Sequence, residues 1–238
     1  MRKFENLKMI CMTAIMMVMT TSSSFSQCAF PALPKTGNTI RSFIPKGWVV
    51  KDSVSGDFNK DKLQDVVLVL ANKVEDNEDS YEYDCNRPLV ILQKSNTGYL
   101  LSAYTKEGVL CKRCGGVFGD PYESISLENN VLNINHYGGS AWRWTKNFTF
   151  RFQNNKWMLI GCSDASYWVN GDCSDNIGDA AYNLRDANFN TSKAHIVKTK
   201  DDACEPYKDI WVNFTKKPLV TLQQFSVDKD YFPVKDKN

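Results

Sequence analysis

Residues 142–153, WRWTKNFTFRFQ, alternate with a period of two over nearly their whole length. Trp142, Trp144, Phe148, Phe150 and Phe152 fall on one side, and Arg143, Thr145, Asn147, Thr149 and Arg151 on the other. A helix would scatter these rings around its axis, whereas a strand gathers them on one face and leaves the other wet. The flanking sequence supplies the partners such a strand needs. Residues 124–128, 131–137 and 157–164 read as three more antiparallel strands. The turns between them, Asn129-Asn130, Gly138-Gly139-Ser140 and Asn154-Asn155, are built from residues that tolerate positive φ in tight hairpins. No long stretch repeats at 3.6 residues. The expected fold is therefore mainly β: an antiparallel sheet meander, within a β-sandwich or a partial propeller-like sheet.

Other strands are shorter or differently patterned. Residues 66–70, VVLVL, are continuously apolar and mostly β-branched, which predicts a strand buried on both faces. Residues 43–51 enter the first strand, and 89–93 and 99–104 flank a turn at Asn96-Thr97-Gly98. Residues 194–198 and 211–214 are further strands, and 219–227 form a last apolar piece. Residues 74–86 form an acidic loop with six carboxylates, 110–122 a shaped loop, and 166–184 a long loop rich in Asp, Asn and Gly. The layout is a signal peptide at 1–26, an extended lead-in at 27–42, one domain at 43–227 and a charged, frayed tail at 228–238.

The signal assignment rests on Arg2, Lys3 and Lys8, the apolar run 9–20 and the small-x-small triplet Ser24-Phe25-Ser26. No other stretch approaches the ~20 apolar residues of a spanning helix. Of 29 basic and 27 acidic residues, positions 1–26 carry three and one, so 26 of each remain and the net charge falls from +2 to zero. Without a basic run, the electrostatic footprint of nucleic-acid binding is missing. The chain is expected in the periplasm or outside the cell, where disulfides form. Candidates are Cys85, Cys111, Cys114, Cys162, Cys173 and Cys204, with Cys28 left over. A lipid anchor on Cys28 would make an outer-membrane lipoprotein, although Gln27 occupies a position that normally carries a small residue.

The stretch 56–71, GDFNKDKLQDVVLVLA, places Asp57, Asn59, Asp61 and Asp65 at positions 1, 3, 5 and 9 of a loop. Short oxygen-bearing side chains at alternate positions let a tight turn aim several oxygens at one hard cation, with the Leu63 carbonyl at position 7. The loop resembles the calcium loop of FG-GAP (integrin-type or VCBS) repeats. That resemblance spans about 15 residues in one copy, and it implies Ca²⁺ on Asp57, Asn59, Asp61, Leu63 and Asp65. It departs from the family at Lys62, where a glycine is usual. A non-glycine residue at positive φ costs ~1 kcal/mol and the ammonium adds charge, so weaker binding is expected.

Three other constellations carry chemistry. Cys111-Lys112-Arg113-Cys114 has the spacing of a thiol redox pair, but Gly115-Gly116 replace the helix that would lower a thiol pKa, which favours a plain disulfide. Asp120, Glu123, His136 and Ser140 are close enough in sequence for a hydrolase acting on glycan or peptide, although no nucleophile elbow is present and His136 lies on the face of Leu132 and Ile134. Tyr137, Trp142, Trp144, Tyr167 and Trp168 could form an aromatic platform for a ligand, with core area as the alternative. No standard catalytic motif is present. The leading expectation is a calcium-stabilised binding protein without catalysis, its ligand a protein or a glycan.

Overall fold

The computed structural model describes residues 28–76, 84–170, 173, 180–201 and 203–235. The expected signal peptide and most of the acidic loop lie outside these residues. Among the described residues, twelve antiparallel strands form two sheets. The five-stranded sheet contains Thr36–Gly37 (β1), Trp48–Gly56 (β2), Asp65–Asn72 (β3), Arg87–Ser95 (β4) and Gly98–Val109 (β5), in the order β1-β5-β4-β3-β2. The seven-stranded sheet contains Tyr122–Glu128 (β6), Val131–Gly139 (β7), Trp142–Gln153 (β8), Lys156–Trp168 (β9), Ala180–Asn188 (β10), Lys193–Thr199 (β11) and Pro206–Asn213 (β12). It is a pure meander, ordered β12-β11-β10-β9-β8-β7-β6. The mainly β reading is correct.

Local chemistry explains the hairpins. Asn129 and Asn130 close β6–β7 with φ of 49° and 58°, and Asn154 and Asn155 close β8–β9 with 52° and 56°. Consecutive positive φ matches the twist of the flanking strands, and Asn tolerates it better than most residues. Gly138 serves the packing instead: a Cβ there would lie 2.4 Å from the Trp144 ring.

The two sheets share a core of Val67, Val69, Leu89 and Ile91 on one side and Leu132, Ile134, Phe148 and Phe150 on the other. The opposite side of the five-stranded sheet is buried as well. Val66, Leu68, Leu70, Val90 and Leu92 pack under Phe30, Phe43 and Trp48. The continuous apolar run in β3 thus has its predicted cause. The lead-in contributes Phe30, Leu33 and Ile40 to this second cluster, adds β1, and forms a 3₁₀ turn at Ile40–Phe43.

Three sequence expectations need correction. The loop expected at 166–184 is partly strand: β9 runs on to Trp168 and β10 begins at Ala180. The apolar pattern of β10 is thin because its buried positions, among those described, are the small Ala181 and Ala187; the ladders to β9 and β11 impose the strand. The tail expected to fray is anchored as far as residue 235, because Tyr231, Phe232 and Val234 pack on the shared core. Cys28 is bonded to Cys85, so its sulfur cannot carry a lipid, and among the described residues the buried Cys162 is the free thiol. The other disulfides among the described residues are Cys111–Cys114 and Cys173–Cys204. Three disulfides call for an oxidising, exported environment. No helix among the described residues is long and apolar enough to cross a membrane.

A charged clamp joins the sheets near β2 and β6. The Arg87 guanidinium, 1% exposed, donates to Glu75 at 3.0 Å and to Asp120 at 2.8 Å. Lys51 on β2 also reaches Asp120 at 3.1 Å. The Tyr122 hydroxyl on β6 donates to Asp52 on β2 at 2.6 Å. Burial alone would raise the Asp120 pKa, but the Arg87 bonds take it below the ordinary carboxylate value. Each charge in this cluster has a partner, which low-dielectric burial requires.

Candidate functional site

The polar face of the seven-stranded sheet carries a transverse row set by strand register. Ser124 pairs with Asn135, Asn135 with Asn147, Asn147 with Ser163, and Ser163 with Asp186. The row continues from Asp186 to His195 and from His195 to Trp211. Side chains directly opposite across antiparallel strands point to the same face. At strand spacings of ~4.8 Å the row crosses about 29 Å of sheet.

Hydrogen bonds fix its central part. Asn135 Nδ2 donates to Ser124 Oγ at 3.1 Å, and Asn147 Nδ2 to Ser163 Oγ at 3.3 Å. In the adjacent row Asn133 Nδ2 donates to Ser126 Oγ at 3.4 Å, and Thr149 Oγ1 donates to Asn133 Oδ1 at 3.1 Å. All these side chains are half-buried, held by neighbours with capacity left for a ligand. At the edge, the Trp211 indole is 66% exposed and stacks on His195, with centroids 4.5 Å apart and planes 2° from parallel. His195 Nε2 lies 2.7 Å from Asp209 Oδ1, which fixes the imidazole under the indole. Beside Trp211 is a hollow of about 220 Å³ lined by Lys193, Val212 and Asn213.

The expected aromatic platform is divided between faces. Tyr137 and Tyr167 lie on the polar face, with Tyr137 against Phe118 at 5.6 Å and the Arg143 guanidinium over Phe118 at 3.8 Å. Trp142, Trp144 and Trp168 lie on the other, which carries Phe148 and Phe150. Trp144 packs against the shared core, while Trp142, 39% exposed, meets Trp168 at 5.5 Å. Trp144 is two positions from Trp142, whereas the partners of Tyr137 and Tyr167, Thr145 and Arg143, are three and one positions from it, so the pleat must part them. Trp211 is not among the candidate residues that the sequence pattern singles out. Its signal is a large ring two positions after Asp209, in a strand none of whose positions is buried.

In the 57–65 loop, Asp57 accepts the amides of Asp61 at 3.1 Å and Lys62 at 2.8 Å. Asn59 Oδ1 accepts the Asp61 amide, and Asp61 Oδ1 accepts the Leu63 amide, which lowers the Asp61 pKa. Lys62 takes φ 70°, the conformation that usually calls for glycine. Asp65 differs: it is fully buried, with one carboxylate oxygen accepting the Phe58 amide at 3.1 Å and the other the Lys94 amide at 2.8 Å. Burial raises its pKa, and the charges of Asp61 and Asp57 add to the rise. Among the described residues, no three His, Cys, Asp or Glu side chains converge to hold a metal ion.

His136 is also fully buried. Its Nδ1 donates to the Lys146 carbonyl at 2.9 Å and its Nε2 accepts the Leu110 amide at 3.3 Å. Burial holds its pKa down to about 4. Asp120 is engaged by Arg87, Glu123 is exposed on β6, and Ser140 is exposed at the β7–β8 turn. These four residues are not brought together around a shared proton. Cys111 and Cys114 close a turn that no helix follows. No family model and no curated protein matches this chain.

Proposed function

We propose that the chain is a periplasmic or extracellular binding protein that holds a neutral glycan on the polar face of its seven-stranded sheet. The observation that carries this reading is the row from Ser124 to Trp211. A polyhydroxylated ligand needs many moderate hydrogen bonds in fixed positions and an apolar ring face against which a sugar can lie. Uncharged Asn and Ser side chains, prebonded across strands, supply the first at small ordering cost. The exposed Trp211 ring, pinned by His195, supplies the second. A protein partner would call for a more apolar patch centre than these Asn and Ser residues provide.

Affinity electrophoresis through gels containing soluble neutral glucans, xylans or mannans tests this. Retardation by at least one polymer is expected, with Trp211→Ala migrating as in a polymer-free gel. Unchanged mobility of the wild type in all of them, or equal retardation of Trp211→Ala, would overturn the reading.

Calcium belongs to the proposal as a brace. Asp57, Asn59 and Asp61 are on accessible side chains and can turn onto a cation together with the Leu63 carbonyl, water completing the shell. Asp65 serves instead as the anchor of the loop to β3 and β4. Support comes from the positive φ of Lys62 and from the mutual repulsion of the Asp57, Asp61 and Asp65 carboxylates. Millimolar Ca²⁺ is expected to raise the thermal midpoint over an EDTA-treated sample, and Asp61→Ala to remove the difference. Identical midpoints with and without Ca²⁺ would eliminate the brace.

A further inference from the structure

The chain leaves β12 at Asn213, crosses to β9 and later returns as the anchored C-terminal segment. The Leu159 amide donates to the Val220 carbonyl at 2.8 Å, which holds this crossing against the sheet. Between the crossing and the tail lies a cavity of about 300 Å³, walled by Phe189, Phe214, Leu219, Tyr231 and Phe232 with Leu159 among its lining residues. It is separate from the polar row.

Its walls are fixed before any ligand arrives. The Tyr231 hydroxyl accepts the Ser226 amide at 2.9 Å, and its ring stacks on Phe225 at 5.3 Å. The Arg185 guanidinium lies 5.1 Å from the Phe232 ring centroid. Charge at the lining is unbalanced. Asp230 is paired with Arg185 at 3.1 Å, which leaves Lys217 and Lys235, both exposed, as the remaining charged lining residues. A preformed apolar cavity of this size with a few charged groups is the usual form of a small-molecule site.

We propose that this cavity binds a small amphipathic carboxylate, its apolar body among the aromatic walls and its anionic head at Lys217 and Lys235. The apolar lining excludes a sugar, and the lysines distinguish an acid from the corresponding alcohol.

Calorimetric titration of the full chain with decanoate, kept below its micelle concentration, and with decanol provides the test. Decanoate is expected to bind saturably at one site, about tenfold more tightly than decanol. Leu219→Trp, which fills the cavity, should abolish binding. Lys217→Gln alters only an exposed side chain and should weaken decanoate about fivefold without affecting decanol, so the result does not depend on the larger substitution folding. Absence of saturable decanoate binding, equal affinities for acid and alcohol, or a Lys217→Gln variant indistinguishable from wild type would each overturn the proposal.

Discussion

The two sheets solve the burial problem differently. β3 is buried on both faces and reads as an unbroken apolar run, because the shared core lies on one side and Phe30, Phe43 and Trp48 on the other. β8 alternates, because its sheet has only one dry face. A strand covered on both sides contributes stability and nothing to recognition. A strand covered on one side can do both, since its wet residues are under little packing constraint. The recognition surface proposed here accordingly lies on the seven-stranded sheet, while the five-stranded sheet and its cover act as backing.

That division can be broken most severely where the sheets are tied. Arg87→Met would leave the buried Glu75 without a counter-charge and Asp120 with Lys51 alone, and a loss of about 3–5 kcal/mol in urea unfolding is expected. A loss under about 1 kcal/mol would show that the sheets are held by the shared core alone.

A smaller effect tests the core beneath the polar face through pH. His136 has a folded-state pKa of about 4, below the ~6.5 of an unfolded chain, so on acidification the unfolded chain takes up the proton first. The stability contributed by neutral His136 is complete above about pH 6.5 and is lost progressively as pH falls to about 4, by at most about 3 kcal/mol. His136→Gln, compared with wild type by urea unfolding at pH 7 and pH 4.5, should show the shallower decline. Parallel declines would assign the acid sensitivity to other groups.

The smallest effect sharpens the contrast most. Asn135→Ala removes one half-exposed hydrogen bond on the polar face and should change stability by about 0.5–1 kcal/mol, while weakening retention on any glycan that binds. A loss comparable with that of Arg87→Met would mean that the row is structural and that the two sheets are not divided by role.

How far the sequence discloses this molecule follows the same contrast. Where burial alternates or saturates, as in β8 and β3, the pattern names the strand and its exposure. The double-Asn turns are legible because backbone sterics select them locally. β10 escapes notice because backbone ladders to two neighbours hold it, with side chains too small or polar to mark it. The transverse row is illegible for a related reason: its seven residues come from six separate hairpin registers, and no local sequence states which residues will face one another. The division of Tyr137 from Trp142 is readable only once the β7–β8 register, with Gly139 opposite Arg143, is known.

The placement of the disulfides has a consequence for the order of assembly. Cys28–Cys85 ties the cover to the five-stranded sheet, Cys111–Cys114 closes a local turn, and Cys173–Cys204 joins segments flanking the far strands of the other sheet. None spans from one sheet to the other. Docking of the sheets can therefore precede oxidation, with crosslinks added afterwards to a chain already in shape. The remaining thiol among the described residues, Cys162, is buried and its pKa is pushed up to about 12, which leaves almost no thiolate to attack a finished bond. The correct pairing is thus protected by geometry, and the unpaired Cys162 does not commit the protein to shuffling or to covalent dimers.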